Sequence, residues 1–163
     1  MGGGLKNSRG PEVYKPKDLA TYSGPLLLDT HIWLWYLDSD SDRLSQSVLD
    51  LLENCGRRGG LTVSDISFWE IAVKVAKGKL SLSVDVGVWL SRAATAPGFR
   101  FIPLDRDTLL LSARLSGTAH NDPVDRMLLA IAQLNNIPLV TADQRIIDYA
   151  KANRGTPVVD ARG

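Results

Sequence analysis

One cysteine and two histidines are all that 163 residues contain of those types. A lone Cys55 excludes an internal disulfide. His31 and His120 with one thiol are too few for a Cys/His zinc cluster. No strong excess of charge exists either: 19 Lys and Arg against 18 Asp and Glu leave a net charge of +1. No whole-molecule field therefore gathers a polyanion, and any attraction must be local. No apolar run approaches the ~20 residues needed to cross a bilayer, so no membrane partner is expected. The stretch from Met1 to Pro25 lacks the apolar centre of a secretion signal. The reading that survives these absences is a cytoplasmic protein of one domain, large enough to bury a core without staples.

What is there begins with a compositional boundary. Residues 1–24 carry Gly2, Gly3, Gly4, Gly10 and Gly24 among scattered Lys, Pro and Ser, and read as a flexible arm or an expression remnant. From residue 25 to 163 the pattern alternates. Strands are expected at Leu26–Leu28, Leu61–Val63, Phe101–Leu104, Ile137–Thr141 and Pro157–Asp160. Pro103 hints that the third lies at an edge. Helices are expected at His31–Leu37, Ser41–Gly56, Ser67–Lys77, Val86–Ala94, Asp105–Leu115, Pro123–Asn135 and Gln144–Ala152. In the second of these Leu44, Val48, Leu51, Leu52 and Cys55 share one face. Strands alternating with helices of about ten residues imply βαβ units and a parallel sheet of four to five strands, covered on both faces.

Carboxylates sit where such a sheet places its ligands. Asp29 follows Leu26–Leu28, Glu70 follows Leu61–Val63 after a short turn, and Asp143 follows Ile137–Thr141. Asp125 lies in the turn His120-Asn121-Asp122-Pro123-Val124-Asp125-Arg126 that opens a helix. Ligands of open parallel sheets bind beyond the carboxyl ends of the strands. Each acid alone has a plainer reading. Ser67 and Glu70 match a capping box, Asp122 with Pro123 matches a helix start, and Asp29 and Asp143 could cap the helices after them. As a group they raise a further question, because two carboxylates ~4 Å apart repel by about 4 kcal/mol at an effective dielectric of 20. A hard divalent cation relieves that repulsion, and Mg²⁺ takes oxygen ligands and binds phosphate oxygens directly. The composition thus points to metal-dependent chemistry on a phosphate compound.

These segments together carry a family resemblance. Leu27-Leu28-Asp29-Thr30-His31, Ser67-Phe68-Trp69-Glu70-Ile71-Ala72-Val73-Lys74 with Gly78-Lys79-Leu80, His120 through Leu128, and Leu139-Val140-Thr141-Ala142-Asp143 appear in order. Over about Leu26 to Asp160 the chain resembles a PIN-domain ribonuclease of the VapC type, the toxin of a bacterial type II toxin–antitoxin pair. The resemblance implies a three-layer α/β/α fold and an Mg²⁺- (or Mn²⁺-) dependent endoribonuclease. Asp29, Glu70, Asp125 and Asp143 would form its catalytic and metal-binding quartet, with the last often acting through water. Thr141 matches a supporting position, and Asp122 is an ambiguous fifth acid, assigned mainly to capping. The implied partners are an RNA substrate, a cognate antitoxin lying over the groove, and a second copy in a homodimer built on the early helices. The front arm and Val124, where an aromatic is usual, depart from the pattern.

Lys74 and Arg126 adjoin the acids and are candidate RNA contacts, although Lys74 also stands at i,i+4 from Glu70. His31 is expected to pack beneath the site, and His120 to make a loop hydrogen bond. Trp33, Trp69 and Trp89 are expected in the core, Trp35 and Tyr36 on a partner face, and Cys55 as a buried apolar residue. Two rival functions remain at this point: a catalytically inactive RNA-binding module of the same fold, and an acid-rich α/β phosphatase. The second wants another aspartate two residues after the nucleophilic one, where this chain has His31.

Overall fold

A computed structural model of the chain describes residues 13–38, 41–115 and 121–163. Its strands are β1 (Val13–Tyr14), β2 (Leu26–Leu28), β3 (Leu61–Ser64), β4 (Phe99–Ile102), β5 (Leu139–Thr141) and β6 (Val158–Asp160). They form one parallel sheet in the order β1-β6-β5-β2-β3-β4. The helices are α1 (Thr30–Leu37), α2 (Gln46–Arg57), α3 (Asp65–Ala76), α4 (Val86–Ala94), α5 (Arg106–Arg114), α6 (Pro123–Asn135) and α7 (Gln144–Ala152).

The sheet divides the interior in two. Leu26 and Leu28 point into one core and Leu27 into the other, as strand alternation requires. The first core takes its helical side chains from α1 to α4 and is rich in aromatics. Trp33 stands at its centre, with Phe68, Trp89 and Phe101 at ring separations of 5.1, 5.4 and 6.2 Å. Among the described residues the buried Trp33 Nε1 meets no hydrogen-bond acceptor. The second core is aliphatic and draws on α6 and α7 through Leu128, Leu129, Ile131, Ile146 and Ile147. All three residues of β2 and of β5 are buried, the pattern of central strands covered on both faces.

Among the described residues six strands are present where four to five were expected, and the extra one corrects the reading of residues 13–24 of the front arm. Val13 pairs with Val158 and Tyr14 with Val159. A 3₁₀ turn at Pro16–Leu19 then seats Leu19 in the core, at 4% exposure. Residues 13–24 thus belong to the fold; a few apolar anchors in a Gly- and Lys-rich background hid them. The earlier part of the arm lies outside the described residues.

Other differences are local. β4 runs from Phe99 to Ile102, two residues earlier than expected, and does lie at the sheet edge. Helix α2 is preceded by a separate 3₁₀ turn at Ser41–Arg43 and capped by Ser45, whose Oγ accepts from the Val48 amide. The chain reverses after α2 at Gly59, φ 68°, rather than at Gly56. Gly56 is instead pressed by Gly98, where a Cβ would lie 2.8 Å from the Gly56 carbonyl oxygen. Helix α3 begins at Asp65, and its cap is Ser64, whose Oγ accepts from the Ile66 amide at 3.2 Å. The expected capping box of Ser67 and Glu70 does not form, which leaves both residues inside the helix and available for other contacts.

Candidate active site

The strand register builds the site. Leu28 is level with Val140, so Asp29 and Thr141 follow side by side at the carboxyl ends of β2 and β5. The Asp29 amide donates to the Val140 carbonyl at 3.0 Å. The Asp29 side chain then meets two donors: Oδ1 accepts from the Thr30 amide at 2.7 Å and Oδ2 from the Thr141 hydroxyl at 2.7 Å. Thr141 Oγ1 in turn accepts from the Asp143 amide at 3.0 Å. One buried hydroxyl thereby ties the first acid to the backbone of the last. Asp143 caps α7 through the Arg145 amide at 2.8 Å and is half-buried. Asp29 is 3% exposed.

Glu70 enters from α3. The Thr30 hydroxyl is 2.8 Å from Ser67 Oγ, one turn before Glu70, which binds α1 to α3 beneath the site. Burial raises the Glu70 carboxyl above its ordinary range; the Lys74 ammonium and the Thr30 hydroxyl pull it back, and Asp29 and Asp122 push it up. Lys74 Nζ is 3.6 Å from Glu70 Oε1, the i,i+4 pair foreseen from the sequence.

Asp125 enters from the first turn of α6. Asp122 is the cap of that helix, as expected: Oδ1 accepts from the Val124 and Asp125 amides at 2.8 and 3.4 Å, with Pro123 in the first turn. Asp125 is 8% exposed. Its carboxyl is pushed up to about 8, first by burial and then by the negative charges of Asp29, Asp122, Asp143 and Glu70. The carboxylates of Asp29, Asp122, Asp143 and Glu70 thus lie near enough to act on the charge of Asp125. Among the described residues no three or more of His, Cys, Asp and Glu are drawn into a group that could hold a metal ion.

A divalent metal fits the chemistry of this donor set. The donors are oxygens, and a carboxylic acid pushed up to about 8, first by burial and then by four neighbouring carboxylates, is the environment that a hard cation relieves.

Other expected residues fall elsewhere. Arg126 Nε donates to the Ser112 carbonyl at 2.9 Å and a terminal nitrogen donates to that of Leu115 at 3.1 Å. Its guanidinium pins the end of α5 to α6. Trp69 is 57% exposed, against the expectation of a core position, because α3 buries Ser67 and Ile71 and a residue two positions from each lies on the opposite side of the helix. Trp33 and Trp89 are buried as expected, and Cys55 is a buried thiol. Trp35 and Tyr36 are half-buried. His120 lies outside the described residues. The contacts made by Thr30 and Ser67 were missed, since nothing local reveals a hydrogen bond between residues 37 apart.

A parallel sheet with carboxylates meeting beyond its central strands defines a class of acid-centred α/β domain, and the comparisons make the class specific. The model of the PIN domain matches residues 26–152, and the chain belongs to that family. It is also similar to Ribonuclease VapC22 of Mycobacterium tuberculosis, with 27% identity over 121 residues, covering 74% of this chain and 88% of the relative. Solved structures share the fold. VapBC2 from Rickettsia felis bound to a DNA fragment from its promoter aligns with a TM-score of 0.56 at 15% identity, over 82% of this chain and 96% of the other. FitAcB from Neisseria gonorrhoeae gives 0.56 at 22% identity, with the same coverage.

Proposed function

We propose that this PIN-domain protein is a divalent-metal-dependent endoribonuclease, the toxin of a toxin–antitoxin pair. The observation that carries the reading is the convergence on Asp125 of Asp29, Asp122, Asp143 and Glu70. The similarity to a VapC ribonuclease supports it. Asp29, Glu70, Asp125 and Asp143 would hold Mg²⁺ (or Mn²⁺), with Thr141 orienting Asp29 and Asp122 serving as cap. When bound, the ion would supply Lewis acidity, lowering the pKa of water and offsetting charge on the phosphate.

The chain's own residues supply the rest. The phosphodiester backbone enters beside exposed Lys74, whose ammonium meets a phosphate. Asp143, half-buried at the pocket rim, accepts the proton of the attacking water. The water oxygen bonds to phosphorus, the bond to the leaving sugar oxygen breaks, and that oxygen takes a proton from solvent. Buried Asp29, fixed by Thr30 and Thr141, keeps the pocket from reorganising during the step.

An antitoxin and a second copy of the chain are the proposed partners. The large apolar side chains exposed among the described residues are Trp69, Val88, Leu109, Leu110 and Leu134. They lie on α3 to α6, which favours those helices over the early ones as partner surfaces. The described residues include no helix long and apolar enough to cross a membrane.

The reading is tested with full-length protein stripped of metal and supplied with RNA and Mg²⁺ or Mn²⁺. Cleavage is expected only with the ion. Asp29→Asn or Asp125→Asn is expected to lower it by roughly 10³-fold or more, the scale on which losing a key electrostatic group acts. Full cleavage by either variant refutes the roles given.

A further inference from the structure

His31 stands at the start of α1, two residues past Asp29, and makes more than packing contacts. Its Nε2 accepts the Ala142 amide at 3.0 Å, a bond between groups 111 residues apart. An accepting Nε2 on a neutral imidazole leaves the ring proton on Nδ1. Nδ1 lies 3.5 Å from Asp29 Oδ2, so that proton faces the first acid of the pocket. The Trp35 ring packs against the imidazole at 4.8 Å, tilted by 56°, and the Arg43 guanidinium lies 5.4 Å from the Trp35 ring. The imidazole plane is thus supported from its own helix and from the 3₁₀ turn beyond it.

Ala142 sits between Thr141 and Asp143. The turn that carries Asp143 is therefore held to the Asp29 corner twice, once through Thr141 Oγ1 and once through His31 Nε2. With Thr141 alone the turn could pivot about a single hydroxyl. The imidazole supplies a second point of attachment and removes that freedom.

We propose that His31 is a positioning residue, a rigid bridge that fixes the Asp143 turn relative to Asp29 and so presets the pocket for a divalent cation. The proposal rests on the nuclease reading for the identity of the ligand, while the bridge itself stands on geometry alone. Groups that orient metal-binding side chains typically matter by 10–100-fold in metal affinity. His31 stays off the reacting atoms and works through the two acids it aligns.

The test uses the full chain, freed of metal, with Mn²⁺ as the probe. Mn²⁺ affinity is measured by calorimetry for wild type, His31→Phe, His31→Gln and Asp29→Asn. His31→Phe keeps the bulk beside Trp35 but offers the Ala142 amide no acceptor, and is expected to weaken Mn²⁺ binding about 10–100-fold. His31→Gln restores an acceptor of similar reach and is expected to recover most of that loss. Nitrogen NMR of the imidazole in metal-free wild type is expected to show the proton on Nδ1. Wild-type affinity in His31→Phe, or a proton on Nε2, overturns the proposal while leaving the nuclease reading intact. Wild type that binds no Mn²⁺, or binds it no better than Asp29→Asn, overturns both.

Discussion

Two aspartates of the pocket live in opposite surroundings. Asp29, at the end of β2, is met by donors: the Thr30 amide, the Thr141 hydroxyl and, farther off, His31 Nδ1. Asp125, in the first turn of α6, is pushed upward by its burial and by carboxylates on four other residues. Both are buried, so depth does not separate them. The contrast teaches that one acid is built into the scaffold, whereas the other holds its charge at a cost that a bound cation would cancel. Folding and function pull in the same direction at Asp29 and in opposite directions at Asp125.

Stability measured without metal separates the two most sharply. Asp29→Ala removes a helix cap and the acceptor of a buried hydroxyl, and is expected to cost roughly 2–4 kcal/mol in urea unfolding. Asp125→Asn is expected to do the reverse at alkaline pH. The folded protein holds the Asp125 proton more tightly than the unfolded chain does, since the carboxyl rises from 3.8 to about 8. Metal-free wild type therefore loses stability through this group as pH climbs between those values. The Asn variant escapes that loss, gaining roughly 2–4 kcal/mol at pH ~8.5 over wild type, within the ceiling set by ~1.4 kcal/mol per tenfold in proton affinity. Equal and same-signed changes for the two variants would erase the contrast.

Thr141→Val sharpens the comparison from the donor side. It keeps the shape and deletes the hydroxyl between Asp29 and the Asp143 amide. A loss of about 1–3 kcal/mol in unfolding free energy is expected, together with weaker Mn²⁺ binding in calorimetry. No change in either would show that Asp29 needs no such support. The smallest effect is expected at Lys74, paired with Glu70 at 3.6 Å but largely in solvent. Lys74→Ala should shift stability by no more than a few tenths of a kcal/mol. Its signature belongs in RNA binding, where the dependence of log affinity on log salt should flatten by about one phosphate contact. An unaltered salt slope removes Lys74 from the RNA path.

The pattern of strand followed by acid made much of this pocket legible in sequence. Apolar runs ending in Asp29 and Asp143 located the carboxyl ends of β2 and β5, and Asp122-Pro123 announced α6 at its true first residue. Misreadings arose where two local signals competed. Ser64 and Ser67 can each start a helix, and the strand end at Ser64 won. Ser67 then lies inside the helix, where its hydroxyl meets Thr30, and Trp69 falls on the opposite, exposed side. Arg126, beside Asp125, also reaches back to the end of α5, a contact that no local pattern announces. Val13, Tyr14 and Leu19 were too few to stand out from their neighbours, and only the partner strand β6 gives them meaning. Long-range pairings of this kind carry no local periodicity, and the His31–Ala142 bond is of the same sort.

The pairing of Val13 and Tyr14 with β6 also bears on how this protein tolerates trimming. The family match starts at residue 26, which makes that position a tempting place to cut. A chain cut there would leave β6 with a bare flank of amides and carbonyls and would empty the seat of Leu19 in the core. The two-residue β1 works as a selvedge: it takes the border position itself, and so short a border gives the next molecule little to catch on.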